Sequence, residues 1–162
     1  MTDLERRFWI AALGAMRPYD PGGFPGTNCS IFGAEVLDDL FGGYTRGSQA
    51  WDDIMIRDPA RPWSPIERVI AAGHGRPNDW PPANSVCIVQ GWRELTATGE
   101  VPERGPRPNG HLFFYVDALS VPLLGGSWVV NSNEGRLNGV RPLTWGEARG
   151  AYPAGVRLAV LG

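Results

Sequence analysis

Apolar positions recur at helical spacing along the first forty residues and at every second position after residue 85. Across residues 3–16, Leu4, Phe8, Ile10, Ala11 and Leu13 fall on one side of a predicted helix, with Glu5, Arg6 and Arg7 largely away from it. Residues 17–26 contain three Pro and three Gly and read as a loop. A second helix is predicted over 29–41, with Thr27 or Asn28 to cap it and Gly42-Gly43 to stop it. Phe32, Val36, Leu37, Leu40 and Phe41 form its buried stripe. Residues 44–63 read as an irregular excursion. A short helix over 65–72 follows, ended by Gly73 and Gly75.

Strands are predicted over 86–92, 111–117, 127–132, 140–143 and 156–161, with a Pro- and Gly-containing loop over 93–110. Helices first and short strands afterwards predict an α+β fold, with N-terminal helices packed on a small antiparallel sheet of about five strands. The strand over 111–117 is apolar on both faces, so it belongs in the middle of that sheet, covered on both sides.

Length and composition narrow the function classes. The chain has 162 residues, 43% hydrophobic and 20% charged, which suits one globular domain over 1–162. Fifteen basic against seventeen acidic residues leave a formal charge of −2, without the basic footprint of a nucleic-acid binder. No apolar run approaches the ~20 residues of a membrane span. The first sixteen residues lack a signal peptide's layout, so synthesis in the cytoplasm is expected. Two cysteines without a C-x-x-C spacing, and no phosphate or calcium loop, point to neither metal nor organic cofactor.

Cys29 is the leading candidate for chemistry. In the first turn of a helix, unpaired N–H groups and the macrodipole favour a thiolate over a thiol. The helix aligns it with Phe32, Gly33, Val36 and Leu40, and Gly33 leaves room beside the sulfur for backbone or substrate. His111 opens a rigid strand, sharing a face with Phe113 and Tyr115, as a general base requires. The other histidine, His74, lies in a Gly-flanked segment read as a mobile loop and is the poorer base. Asn131 can orient the imidazole from the next strand, with Ser132, Asn133 and Glu134 as substitutes if the register slips; Cys-His-Asn is a known variant of the triad logic. Asn28, Gln90, Trp92 and Asn133 are candidates for substrate binding. Cys87, in the middle of a strand, reads as a buried structural thiol. Asp38-Asp39 reads as a solvated pair and Asp52-Asp53 as lacking a partner.

Three segments, TNCSIFGAEVLDDLF, NGHLFFYVD and WVVNSNEGRLNGV, appear in the order helix-borne Cys, strand-opening His and polar strand residue. This arrangement resembles the NlpC-type cell-wall peptidases and the related CHAP amidases, compact papain-like folds. The resemblance implies a cysteine amidase or endopeptidase cutting amides of peptidoglycan peptides through an acyl-enzyme on Cys29, with His111 as base and Asn131 orienting it. Residues 44–80 would then be a family-variable insertion. Without a leader or wall-binding domain in the sequence, the expected build is that of a monomeric antibacterial toxin, exported by a dedicated secretion system to a target cell's periplasm and matched by an immunity protein. Two rival readings remain. One is an acyltransferase or deamidase of the same fold acting on protein or lipid; the other is a non-catalytic Trp-rich module binding peptide or glycan.

Overall fold

The computed structural model describes residues 2–16, 28–56, 58–103, 109–117, 127–131 and 139–162; of residues 28, 127–129 and 131 the backbone alone is described. Helix α1 (Asp3–Ala15) starts where the Thr2 hydroxyl accepts from the Glu5 N–H, an N-cap that satisfies one of the first turn's orphan donors. Helix α2 (Asn28–Phe41) packs against it, and the Arg7 guanidinium donates to the Leu40 carbonyl at the end of α2. Two shorter helices, α3 (Gln49–Ile54) and α4 (Ser64–Ala71), pack on each other.

The sheet, as described, has six strands in the order β1-β6-β2-β3-β4-β5: β1 (Gly75–Asn78), β2 (Val86–Trp92), β3 (Gly110–Asp117), β4 (Ser127–Asn131), β5 (Gly139–Pro142) and β6 (Gly155–Leu161). Every neighbouring pair is antiparallel. The α+β class and the antiparallel sheet therefore stand as expected from the sequence. Strand β3 lies inside the sheet with both faces covered, also as expected. Leu112, Phe114 and Val116 face the helices, and Phe113 and Tyr115 face a second cluster. Phe114 joins the layers, with its ring centroid 5.1 Å from Phe8 of α1 and 5.8 Å from Phe32 of α2.

The opposite face of the sheet is closed by α5 (Trp145–Gly150) and the turn after it, through Trp145, Ala148 and Tyr152. The sequence reading lacked this helix. Its capping box, in which Thr144 accepts from the Glu147 N–H and Glu147 reaches back to the Thr144 N–H, was the available signal.

Four further expectations are corrected. In α1 the buried stripe is Phe8, Ala11, Ala12 and Ala15, and it takes in Glu5, while Ile10 and Leu13 point outward at 64% and 61% exposure. The stripe is rotated because α1 meets α2 and Phe114 through small residues, which allow a close approach. The irregular excursion contains α3, capped by the Ser48 hydroxyl. The glycine-flanked segment after α4 is ordered: β1 pairs with β6 along Gly75↔Leu161 to Asn78↔Leu158, an edge pairing that a four-residue segment does not announce. Finally, Asp53 has structural partners, while Asp39 is exposed and Asp38 half-buried, in keeping with a solvated pair. Asp38 accepts from the Tyr44 N–H, and Asp53 is bonded to Gln49 and Arg61. The loop at 17–26 and the proposed cap Thr27 lie outside the described residues.

Candidate active site

Helix α2 begins at Asn28, so Cys29 occupies its first turn, where N–H groups have no intrahelical acceptor. The helix is held tightly against β3. A Cβ added at Gly33, one turn after Cys29, would stand 2.7 Å from Leu112 Cδ2. The space expected beside Gly33 for backbone or substrate is thus filled by the Leu112 side chain. This contact fixes the height of α2 on the strand that also carries His111.

At that junction the Cys29 thiol and the His111 imidazole are hydrogen-bonded. Both residues are buried, at 5% and 7% exposure. Burial by itself pushes the Cys29 thiol up, because a thiolate loses its hydration. The hydrogen bond and charge of His111, the Leu112 backbone N–H and the Ser30 hydroxyl, 3.9 Å from the sulfur, together outweigh it and hold the thiol below its ordinary value. The arrangement sets a thiol whose ionisation is favoured beside a group able to take and return a proton.

His111 is the second residue of β3 and lies opposite Gly91 of β2. Its ring lies nearly parallel to that of Phe113, with centroids 5.7 Å apart and planes at 19°. Tyr152 lies at 6.5 Å and 22° from the imidazole, and at 5.7 Å from Phe113. Gly91 makes this possible, since a Cβ there would enter the Tyr152 ring. On the helix-facing side, Gly110 does the same for Trp92, whose ring occupies the place of the absent side chain.

The remaining candidates divide. Asn131 ends β4, one residue past Val130, which pairs with Phe114, so its backbone runs on toward the His111 end of β3. Asn28 is the first residue of α2, adjoining Cys29. Asn133, with Ser132 and Glu134, lies outside the described residues. Gln90 is fully buried beside Leu112, its Nε2 donating to the Gly91 carbonyl. Trp92 is also buried, and its indole N–H donates to the Pro62 carbonyl.

His74 is held by contacts on several sides. Its Nδ1 lies 2.8 Å from the buried Tyr44 hydroxyl, its ring stacks on Phe41 at 4.6 Å, and its backbone bonds Val69 and Gly162. Cys87 is fully buried, and burial pushes its thiol up to about 11. Neither cysteine forms a disulfide.

The sequence reading missed four parts of this site: Tyr152, Gly91, the Leu112 N–H and the Ser30 hydroxyl. A glycine inside an apolar strand was a legible sign of close approach at position 91. Nothing in the sequence connects residue 152 to residue 111. Among the described residues, no cluster of three His, Cys, Asp or Glu could hold a metal ion, and no helix is long and apolar enough to cross a membrane. No protein-family model, curated protein or solved structure matches the chain.

Proposed function

We propose that the chain is a cysteine amidase or endopeptidase of NlpC-like, papain-like type, acting on the amide bonds of peptidoglycan peptides. The observation that carries the reaction class is the hydrogen-bonded Cys29–His111 pair at a helix start, with the thiol held low despite burial. The substrate class follows the resemblance of the three segments to cell-wall peptidases.

In this reading the Cys29 thiolate attacks the amide carbonyl and forms an S–acyl bond. The protonated imidazole of His111 gives its proton to the leaving nitrogen, and the C–N bond breaks. The now neutral imidazole takes a proton from water, whose oxygen attacks the thioester. The thiolate and imidazolium are regenerated as the carboxylic acid product leaves. The Cys29 backbone N–H, in the first turn of α2, is the proposed donor to the oxyanion. Asn131, the last residue of β4 and one past the Val130 that pairs with Phe114, is the proposed orienting residue.

The test is digestion of purified peptidoglycan by the wild-type chain and by Cys29→Ala, followed by mass analysis of the soluble fragments. A matched new amine and carboxylate that require Cys29 are expected. Ammonia release without chain cleavage would replace the reading with a deamidase, and absence of any Cys29-dependent product would overturn it for this substrate.

A further inference from the structure

The strand holding His111 fixes the imidazole's position but not its plane. The torsion that turns a histidine ring is broad, so backbone and χ1 leave the nitrogens free to swing. Something packed against the ring must choose the orientation that presents a nitrogen to the Cys29 sulfur. In an antiparallel ladder, the residue directly opposite normally supplies that packing. Opposite His111 stands Gly91, which has no side chain to supply.

Phe113, on the same strand, stacks on the imidazole at 5.7 Å, and across the ladder Tyr152 fills the vacancy. Its ring lies over Gly91 and nearly parallel to the imidazole, with 22° between the planes, and it is 6% exposed. Its backbone is pinned on both sides: the Tyr152 N–H donates to Arg149, the Gly155 N–H donates to the Tyr152 carbonyl, and the Ala154 N–H ties the turn to Trp92 at the end of β2. The ring centroid stands 6.5 Å from that of His111, just beyond the ~6 Å within which a ring face attracts a cation appreciably. The Arg93 guanidinium, 5.9 Å from the Tyr152 centroid, gives the ring a cationic neighbour of its own.

We propose that Tyr152 is a positioning residue of this site: admitted by Gly91, its ring is the wall that holds the His111 imidazole in line with the Cys29 sulfur. The proposal rests on the reading of Cys29 and His111 as a working pair. It also assigns α5 and its following turn, on the far face of the sheet from the nucleophile's helix, a part in the chemistry.

The test follows alkylation of Cys29 by iodoacetamide across pH in the full chain, resolved from Cys87 by mass, for wild type, Tyr152→Ala and Tyr152→Phe, with a thermal melt of each. In the wild type, Cys29 should react well below the pH at which an ordinary thiol ionises. Tyr152→Ala should move that profile upward and slow the reaction near pH 6 by about tenfold, one pKa unit's worth. Tyr152→Phe, which keeps the ring, should superimpose on the wild type. Should the Ala variant fail to fold, Tyr152→Leu, which fills the space without a flat ring, is read in its place. An unchanged profile without the ring, or a Phe variant shifted as far as Ala, overturns the proposal while leaving the Cys29–His111 pair intact. A wild-type profile at the ordinary thiol value overturns the pair itself, and the wall with it.

Discussion

The two cysteines of this chain are both buried, yet their thiols are pushed in opposite directions. Cys87 lies in the middle of β2. Burial raises it to about 11, the Ser85 hydroxyl at 3.5 Å opposes this weakly, and the Asp117 carboxylate adds to the rise. Cys29 bears the same cost of burial but has His111, the Leu112 N–H and the Ser30 hydroxyl around it, and these prevail. Burial thus does not decide whether a cysteine is inert; the donors gathered at the sulfur do. The contrast is one of chain placement. A mid-strand position commits its neighbouring N–H groups to the ladder, whereas a helix start beside a strand's first residues leaves donors available.

The contrast breaks most directly at His111. His111→Ala should remove the early reactivity of Cys29 while leaving Cys87 as slow as before, and should lower amide hydrolysis by about 10²–10⁴-fold, the usual worth of a general base. Site-resolved alkylation and a turnover assay read the two effects, and a Cys29 that still reacts early would show that the imidazole is not what stabilises the thiolate.

A smaller effect is expected at the contact that sets α2 on β3. Gly33→Ala drives a methyl group against the fully buried Leu112 and should destabilise the chain by about 1–3 kcal/mol, as overpacking does. Adding Leu112→Val, which removes the clashing Cδ2, should recover part of the loss. Chemical denaturation of the single and double variants measures this, and additive losses would mean that the two positions do not meet.

The smallest effect sharpens the other half of the comparison. Cys87 has a folded-state value of about 11 against an ordinary 9.0, so between those limits the unfolded chain gives up its proton first. Its contribution is present in full below the unfolded value and is lost as pH rises toward the folded one, by up to about 1.4 kcal/mol per pH unit. Cys87→Ala should flatten the decline in stability across that window. Tyr44, raised by burial from 10.0 to about 12, leaves a residual slope at its upper end. Equal slopes in both proteins would show that Cys87 ionises as readily folded as unfolded.

Much of this site was legible before any coordinates. The helical stripe Phe32, Val36, Leu37 and Leu40 told which way Cys29 faces, because a period of 3.6 ties a residue's direction to its neighbours. The alternation through 111–117 likewise placed His111 with Phe113 and Tyr115. Other features were misread where local pattern is weak. Glu5 is buried while Ile10 and Leu13 are exposed, since α1's direction is set by the surface it meets and not by its own sequence. Strand β1 does not announce itself, because four residues are too few to show a period.

By itself the sequence determined the class of fold, the identity of the two candidate groups and the faces on which they lie, all of which follow from periodicity and residue chemistry acting over a few residues. Tertiary structure alone decided that the Cys29 sulfur and the His111 ring meet, that Leu112 occupies the gap at Gly33, and that Tyr152 stands where Gly91 offers no side chain. These are contacts between segments separated by tens of residues, and their existence depends on how helix, strand and turn are stacked, which no local pattern encodes.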